Sequence, residues 1–127
     1  TNVSLPSSGT LSTGGLPVTE VTGTTQAMAV DTSYIASNAA LVTLTLPSTA
    51  AVGAEFEVNG KGAGGWKLAQ NASQSIQFTN GGSVSSTTVG TGGFIASAVA
   101  SDCVRLRCIT ANTLFEVLDS MGNISFT

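Results

Sequence analysis

Residues 60–65 read GKGAGG and satisfy G-x-G-x-x-G through Gly60, Gly62 and Gly65, the spacing of a phosphate-binding loop. A dinucleotide loop follows a strand and opens a helix, because the N–H groups of the helix N-terminus hold the pyrophosphate. EFEVN before the loop fits a strand, but WKLAQNASQSIQF after it alternates like a second strand. A P-loop would close with Gly-Lys-Ser or Gly-Lys-Thr, and GGWK does not. The segment therefore reads as a connection between antiparallel strands, its glycines supplying positive φ angles. Lys61 and Lys67 are then solvated or subunit-facing cations.

The acidic residues are Glu20, Asp31, Glu55, Glu57, Asp102, Glu116 and Asp119. Glu55 and Glu57 stand at i and i+2, on one face of a strand, where a carboxylate pair would serve acid/base chemistry or bind a metal. Arg105 and Arg107 share that spacing, so a cross-strand charge ladder is the plainer reading. The sequence has no histidine, which removes His-based triads, imidazole metal sites and His pH switches. Ser and Thr abound, but no G-x-S-x-G or S-x-x-K run marks a nucleophile. The expectation is a protein with no catalytic residue, no cofactor and no metal. Tyr34 and Trp66 are candidate sugar-stacking platforms, although Trp66 sits in an alternating register that fits core packing.

Cys103 and Cys108 lie in DCVRLRC. In an extended strand, five steps cover about 16 Å, beyond the span of a disulfide, and an odd separation points the thiols to opposite faces. One buried thiol acting as a small apolar group is expected. Asn2, Asn71 and Asn123 fit the glycosylation sequon, a weak signal in so Asn- and Ser-rich a chain.

Those residues need a scaffold, and the composition limits it. With 127 residues the chain is long enough for one core. Only 9% of the residues are charged and the net charge is −3. The surface must be mostly Ser, Thr, Asn and Gln, as suits a secreted or assembled β-protein. Four scattered cations cannot supply the phosphate contacts of a nucleic-acid binder. No apolar run is long enough to span a bilayer. Thr1 in place of Met fits removal of a signal segment, or a piece cut from a longer chain.

Helix periodicity is nearly absent, whereas alternation with a period of two recurs. It places Val42, Leu44 and Leu46 on one face, and likewise Phe56 with Val58, Trp66 with Leu68, and Ile76 with Phe78. Val104, Leu106 and Cys108, then Phe115 and Val117, then Ile124 and Phe126 continue the pattern. STAAVG at residues 48–53 has the cap and terminal glycine of one helical turn. Residues 79–94 are rich in Gly and Ser and read as a flexible or edge segment. The expected fold is all-β, a compact sandwich or jelly-roll-like barrel of about ten short strands. Residues 1–16 form an extended N-terminal arm and residues 17–127 a single β domain.

The phrases TEVTGTTQAMAVDTSYIASNAALVTLTLPSTAAVG, GKGAGGWKLAQNASQSIQF and VRLRCITANTLFEVLDSMGNISF carry a likeness. From residue 17 onward, the chain resembles a β-rich module of phage tail fibres and large bacterial surface proteins. The resemblance implies an extracellular, cell-surface or virion location and brings no catalytic residue, cofactor or ligand with it. Only a short lead precedes the module here, with no long shaft, which favours a small polymerising subunit. The expected partner is therefore the protein itself, in a filament or fibre. Val3, Leu5 and Leu11 of the arm are the expected subunit contacts, by addition of a strand to a neighbouring sheet edge. The rival reading is a receptor- or glycan-binding module of the tail-fibre type, with a cell-surface glycan as partner. Neither reading involves nucleic acid or membrane insertion.

Overall fold

Short alternating runs between Gly, Asn, Ser and Pro can bury one face only by packing sheet on sheet. The computed structural model describes residues 15–127 and does so with strands alone. The first six strands are β1 (Val18–Val21), β2 (Thr25–Ala27), β3 (Thr32–Ala36), β4 (Val42–Thr45), β5 (Glu55–Gly60) and β6 (Trp66–Ala69). The remaining six are β7 (Ser75–Asn80), β8 (Ser83–Ser86), β9 (Phe94–Ala96), β10 (Cys103–Thr110), β11 (Leu114–Met121) and β12 (Ser125–Phe126). They form a seven-stranded sheet, in the order β1-β3-β5-β10-β11-β7-β8, and a five-stranded sheet, in the order β12-β9-β6-β4-β2. The fold is thus a two-sheet sandwich, with twelve strands in the described residues where about ten were expected.

The first half of the chain winds. Successive strands go to alternate sheets, so each pairs in parallel with the strand two before it. Parallel neighbours require a crossover, and here a strand of the opposite sheet provides it in place of a helix. The second half closes the sandwich with antiparallel pairs, apart from β7, which joins β11 in parallel. β10 inserts between β5 and β11, and β7 turns back into β8 through Gly81 and Gly82. Both glycines have positive φ, 59° and 88°, as the tightest hairpin turn demands.

The inner faces meet in one core. Phe56, Trp66, Leu68, Ile76, Leu106 and Phe115 are fully buried, as their alternation predicts. Phe56 and Phe115 meet edge to face, with ring centroids 5.7 Å apart. Val42, Leu44 and Leu46 are buried too. Phe78 and Val117 are only half-buried, because the smaller sheet ends before it covers them. The STAAVG segment makes no helical turn. Its backbone closes a single turn, with Ala54 N–H donating to the Ala51 carbonyl at 3.1 Å and Gly53 at φ 96°. The terminal glycine signal was real, but a distant residue takes the backbone groups a helix would use. Ala50 donates its N–H to the Asn112 side-chain oxygen at 2.8 Å, and its carbonyl accepts from the Asn112 N–H at 2.9 Å.

Candidate functional site

The glycine segment connects β5 to β6 by passing from one sheet to the other, so it is not a hairpin. Only Gly65 of the motif needs a positive φ, at 68°. The others are required by close approach. A Cβ on Gly60 would fall 1.5 Å from the Ala100 carbonyl oxygen, one on Gly62 2.3 Å from the Asn38 backbone, and one on Gly64 2.0 Å from the Ala40 backbone. Gly62 and Gly64 let the crossover lie flat against the loop at 38–41, and Gly60 makes room for the Ala100 carbonyl. A strand, β6, follows them, as the alternation indicates. Lys61 at one end binds Glu20 of β1 at 2.9 Å, and that hydrogen bond, with a smaller contribution from Ser37, holds the Glu20 carboxyl below its ordinary pKa. Lys67 is not a free cation: its ammonium lies 4.2 Å above the Phe94 ring.

The charge ladder is present on the outer face of the larger sheet. β10 lies antiparallel to β5, with Arg107 opposite Glu55 and Arg105 opposite Glu57. Arg107 binds Glu55 at 2.9 Å, and Arg105 reaches Glu55 at 3.7 Å and Asp119 at 2.9 Å. Simple alternation along β11 would turn Asp119 inward. The register shift beside Leu106 leaves Leu118 unpaired, and this bulge turns Asp119 outward to meet Arg105. Glu57 has no ion-pair partner among the described residues and lines an open groove of about 510 Å³ with Ser33, Asn59, Cys103 and Met121. The ion pairs of the described residues are all solvent-accessible, so each contributes little to stability.

Neither aromatic platform faces solvent. Trp66 has no exposed surface, and its Nε1–H donates to the Asp102 carbonyl at 2.7 Å. Tyr34 is 2% exposed, and its hydroxyl accepts from the Ala29 N–H at 2.6 Å. Both belong to the core, because each occupies the inward register of its strand. Val3, Leu5 and Leu11 lie outside the described residues, as does Asn2. Asn71 donates its amide to the Leu46 carbonyl at 2.6 Å, whereas Asn123 is exposed. Cys103 and Cys108 are both free, and Cys108 is the buried thiol.

One constellation was not read from the sequence. Gln70, Gln74 and Thr87 are buried polar side chains. Gln74 donates to the Pro47 and Asn112 carbonyls at 2.8 and 3.0 Å and accepts from the Asn71 N–H at 2.8 Å. Gln70 donates to the carbonyls of Gln74, Thr88 and Gly90, and accepts from the Thr87 hydroxyl. Asp102, also buried, accepts from the Ala98 and Val99 N–H groups at 2.8 and 3.0 Å. No buried side-chain N or O among the described residues lacks a partner, and the bonds of these groups fasten loops to one another. In the sequence they look like ordinary loop amides; only the carbonyls converging on them in space give them away.

The sandwich has two unlike sides. β5 packs over β6 and β7 over β9, so β1 and β2 edge one side and β8 and β12 the other. On β1, the Pro17 and Val21 carbonyls bond to Ser33 and Ser37 of β3 or its continuation, which leaves the backbone groups of Val18 and Glu20 facing outward. Every residue of β8 is exposed, so neither of its faces is covered. No protein-family model matches the chain, and no curated protein matches it.

Proposed function

We propose that the protein is a non-enzymatic structural subunit that assembles with copies of itself into an extracellular filament or fibre. The observation that carries this reading is the pair of open sides. One side presents the β1 edge and the other the β12 edge with a bared β8, and residues 1–14 lead into the first of them. An exposed sheet edge is a template for another strand. A contact between unlike sides of successive copies is head-to-tail, and it closes only when the rotation permits. The arm, residues 1–12, is the strand handed on. The charge-poor, hydroxyl- and amide-rich composition supports an extracellular setting, and so does the resemblance to surface and tail-fibre modules.

A receptor- or glycan-binding module is the second reading. It draws on the open groove that Glu57, Asn59 and Arg105 line, since the buried Tyr34 and Trp66 offer a sugar no stacking face. Native mass measurement with negative-stain imaging separates the two. Open filaments support the structural subunit, whereas closed trimers or monomers that bind glycan support the module.

A further inference from the structure

The larger sheet ends in two strands that each have one neighbour among the described strands, β1 on one side and β8 on the other. β1 runs with β3 and β5, β10 reverses, β11 and β7 reverse again, and β8 reverses once more. The two edge strands therefore run in opposite directions. The phase of their free backbone groups also agrees. On β1, Val18 and Glu20 turn their N–H and C=O groups outward. Beside β8, the Thr87 N–H donates to the Ile76 carbonyl at 2.9 Å, and two residues nearer the turn Ser85 opposes Phe78. By the alternation of an antiparallel pair, Ser85 bonds to β7 while Val84 and Ser86 turn their groups away from it. The side chains agree too. Val18 stands in line with Ser33 and Glu57 on the outer face. Val84 and Ser86 stand beside Thr79 and Gln77, and Gln77 bonds Glu116 on that same face. Val18 and Val84 are 61% and 67% exposed.

We propose that β1 of one copy pairs antiparallel with β8 of a second copy, so that the larger sheets of successive copies join edge to edge. The inference rests on the polymer reading above and assigns the contact that sets one copy against the next. Full overlap of the two four-residue strands puts Val18 opposite Ser86 and Glu20 opposite Val84, and each of these pairs exchanges two backbone hydrogen bonds. Val18 and Val84 then stand as diagonal neighbours on the outer face. Within one chain the two edges cannot meet. Six strand spacings, roughly 29 Å, separate them, and the smaller sheet fills the side toward which the larger would have to curl. A copy displaced sideways without being turned over brings the edges together with opposite direction, matching phase and a common face. β8 carries no charge and no proline, and its register with β7 is unbroken, so it lacks those guards of a sheet edge. Each of its residues is exposed, so the smaller sheet does not overhang it. The one charge of β1, Glu20, is bound by Lys61 of its own chain at 2.9 Å. Four backbone hydrogen bonds do not by themselves offset the freedom two copies lose on joining, so the seam orients copies that the arm links. It also sets Leu16, two residues before Val18, against the neighbouring copy.

The test traps the seam with disulfides in the full chain, with Cys103→Ser in every variant so that the buried Cys108 is the one native thiol left. Thr19 and Ser85 are both exposed, and in the seam they face each other at a position without mutual hydrogen bonds. Their Cα atoms would stand about 4.5 Å apart, within the range of a disulfide. Protein with Thr19→Cys is mixed in equal amount with protein carrying Ser85→Cys, allowed to assemble and oxidised, and the linked peptides are mapped by mass spectrometry. Disulfides between position 19 of one copy and position 85 of another are expected. In the Ser85→Cys protein, Val84→Pro removes an N–H that faces the seam and none that faces β7. With native circular dichroism, it should lower the yield about tenfold, whereas Val84→Ala keeps the N–H and should lower it by no more than about twofold. Equal yields from these two variants would contradict the backbone pairing. Disulfides joining 19 to 19 or 85 to 85 mean that like edges meet about a two-fold axis, which overturns the proposal. Polymers without a 19–85 disulfide overturn the seam and leave the polymer reading standing. Protein that forms neither polymers nor that disulfide overturns both.

Discussion

Trp66 joins the two sheets: its ring fills the core, and its N–H reaches the carbonyl of Asp102 in the loop before β10. Trp66→Ala removes both contributions and should cost about 3–5 kcal/mol in a denaturant melt. Trp66→Phe keeps most of the volume and should lose about 0.5–1.5 kcal/mol from the missing hydrogen bond, because the Asp102 carbonyl still accepts from the Gly60 N–H at 3.2 Å. A near-neutral Trp66→Ala accompanied by loss of glycan binding would instead restore the surface-platform reading. The ladder carboxylates should behave differently. Glu55 meets two guanidinium groups, yet all three side chains are reached by solvent. Glu55→Gln should therefore shift stability by no more than about 1 kcal/mol, and less still in high salt. A loss of several kcal/mol that persists at about 0.5 M salt, where exposed charges are strongly screened, would contradict this account of the ladder.

At the level of elements, the loops are held from inside. Gln74 serves two carbonyls and one N–H from three different segments. Gln74→Leu keeps the volume and strands those groups, for an expected loss of about 2–4 kcal/mol. Gly64→Ala should be at least as damaging, because its Cβ would meet the Ala40 backbone at 2.0 Å, where no flexible side chain can yield. ATP and NAD at millimolar concentration should leave the melting temperature unchanged. A rise of several degrees with either would return the segment to nucleotide binding. Much of this was legible beforehand. Alternation located Val42, Leu44, Phe56, Val58 and Leu106 in the core, since a strand cannot bury one face without a period of two. Sheet membership was not legible, because strands that wind between sheets alternate just as hairpin strands do. The bulge at Leu118 left no mark in composition, and so Asp119 could not be placed opposite Arg105. The half-exposure of Phe78 depends on where the partner sheet ends, a property of the assembled pair of sheets rather than of the strand itself.

At the scale of the whole molecule, the described strands make a seven-stranded sheet over a five-stranded one, and among them β12 has a single neighbour and an open edge. Such an edge is an aggregation hazard unless something covers it. On the proposed function, residues 1–12 of a neighbouring copy add to such an edge and link one copy to the next. The most direct measurement is the native mass of the chain with residues 1–12 deleted, beside the full chain under identical conditions, with negative-stain images of both. The account predicts polymers of the full chain, and a folded, monomeric truncated protein that captures a synthetic peptide of the deleted segment. If the truncated protein assembles into the same polymer, the arm is not the link between copies and the contacts must come from the sheet faces.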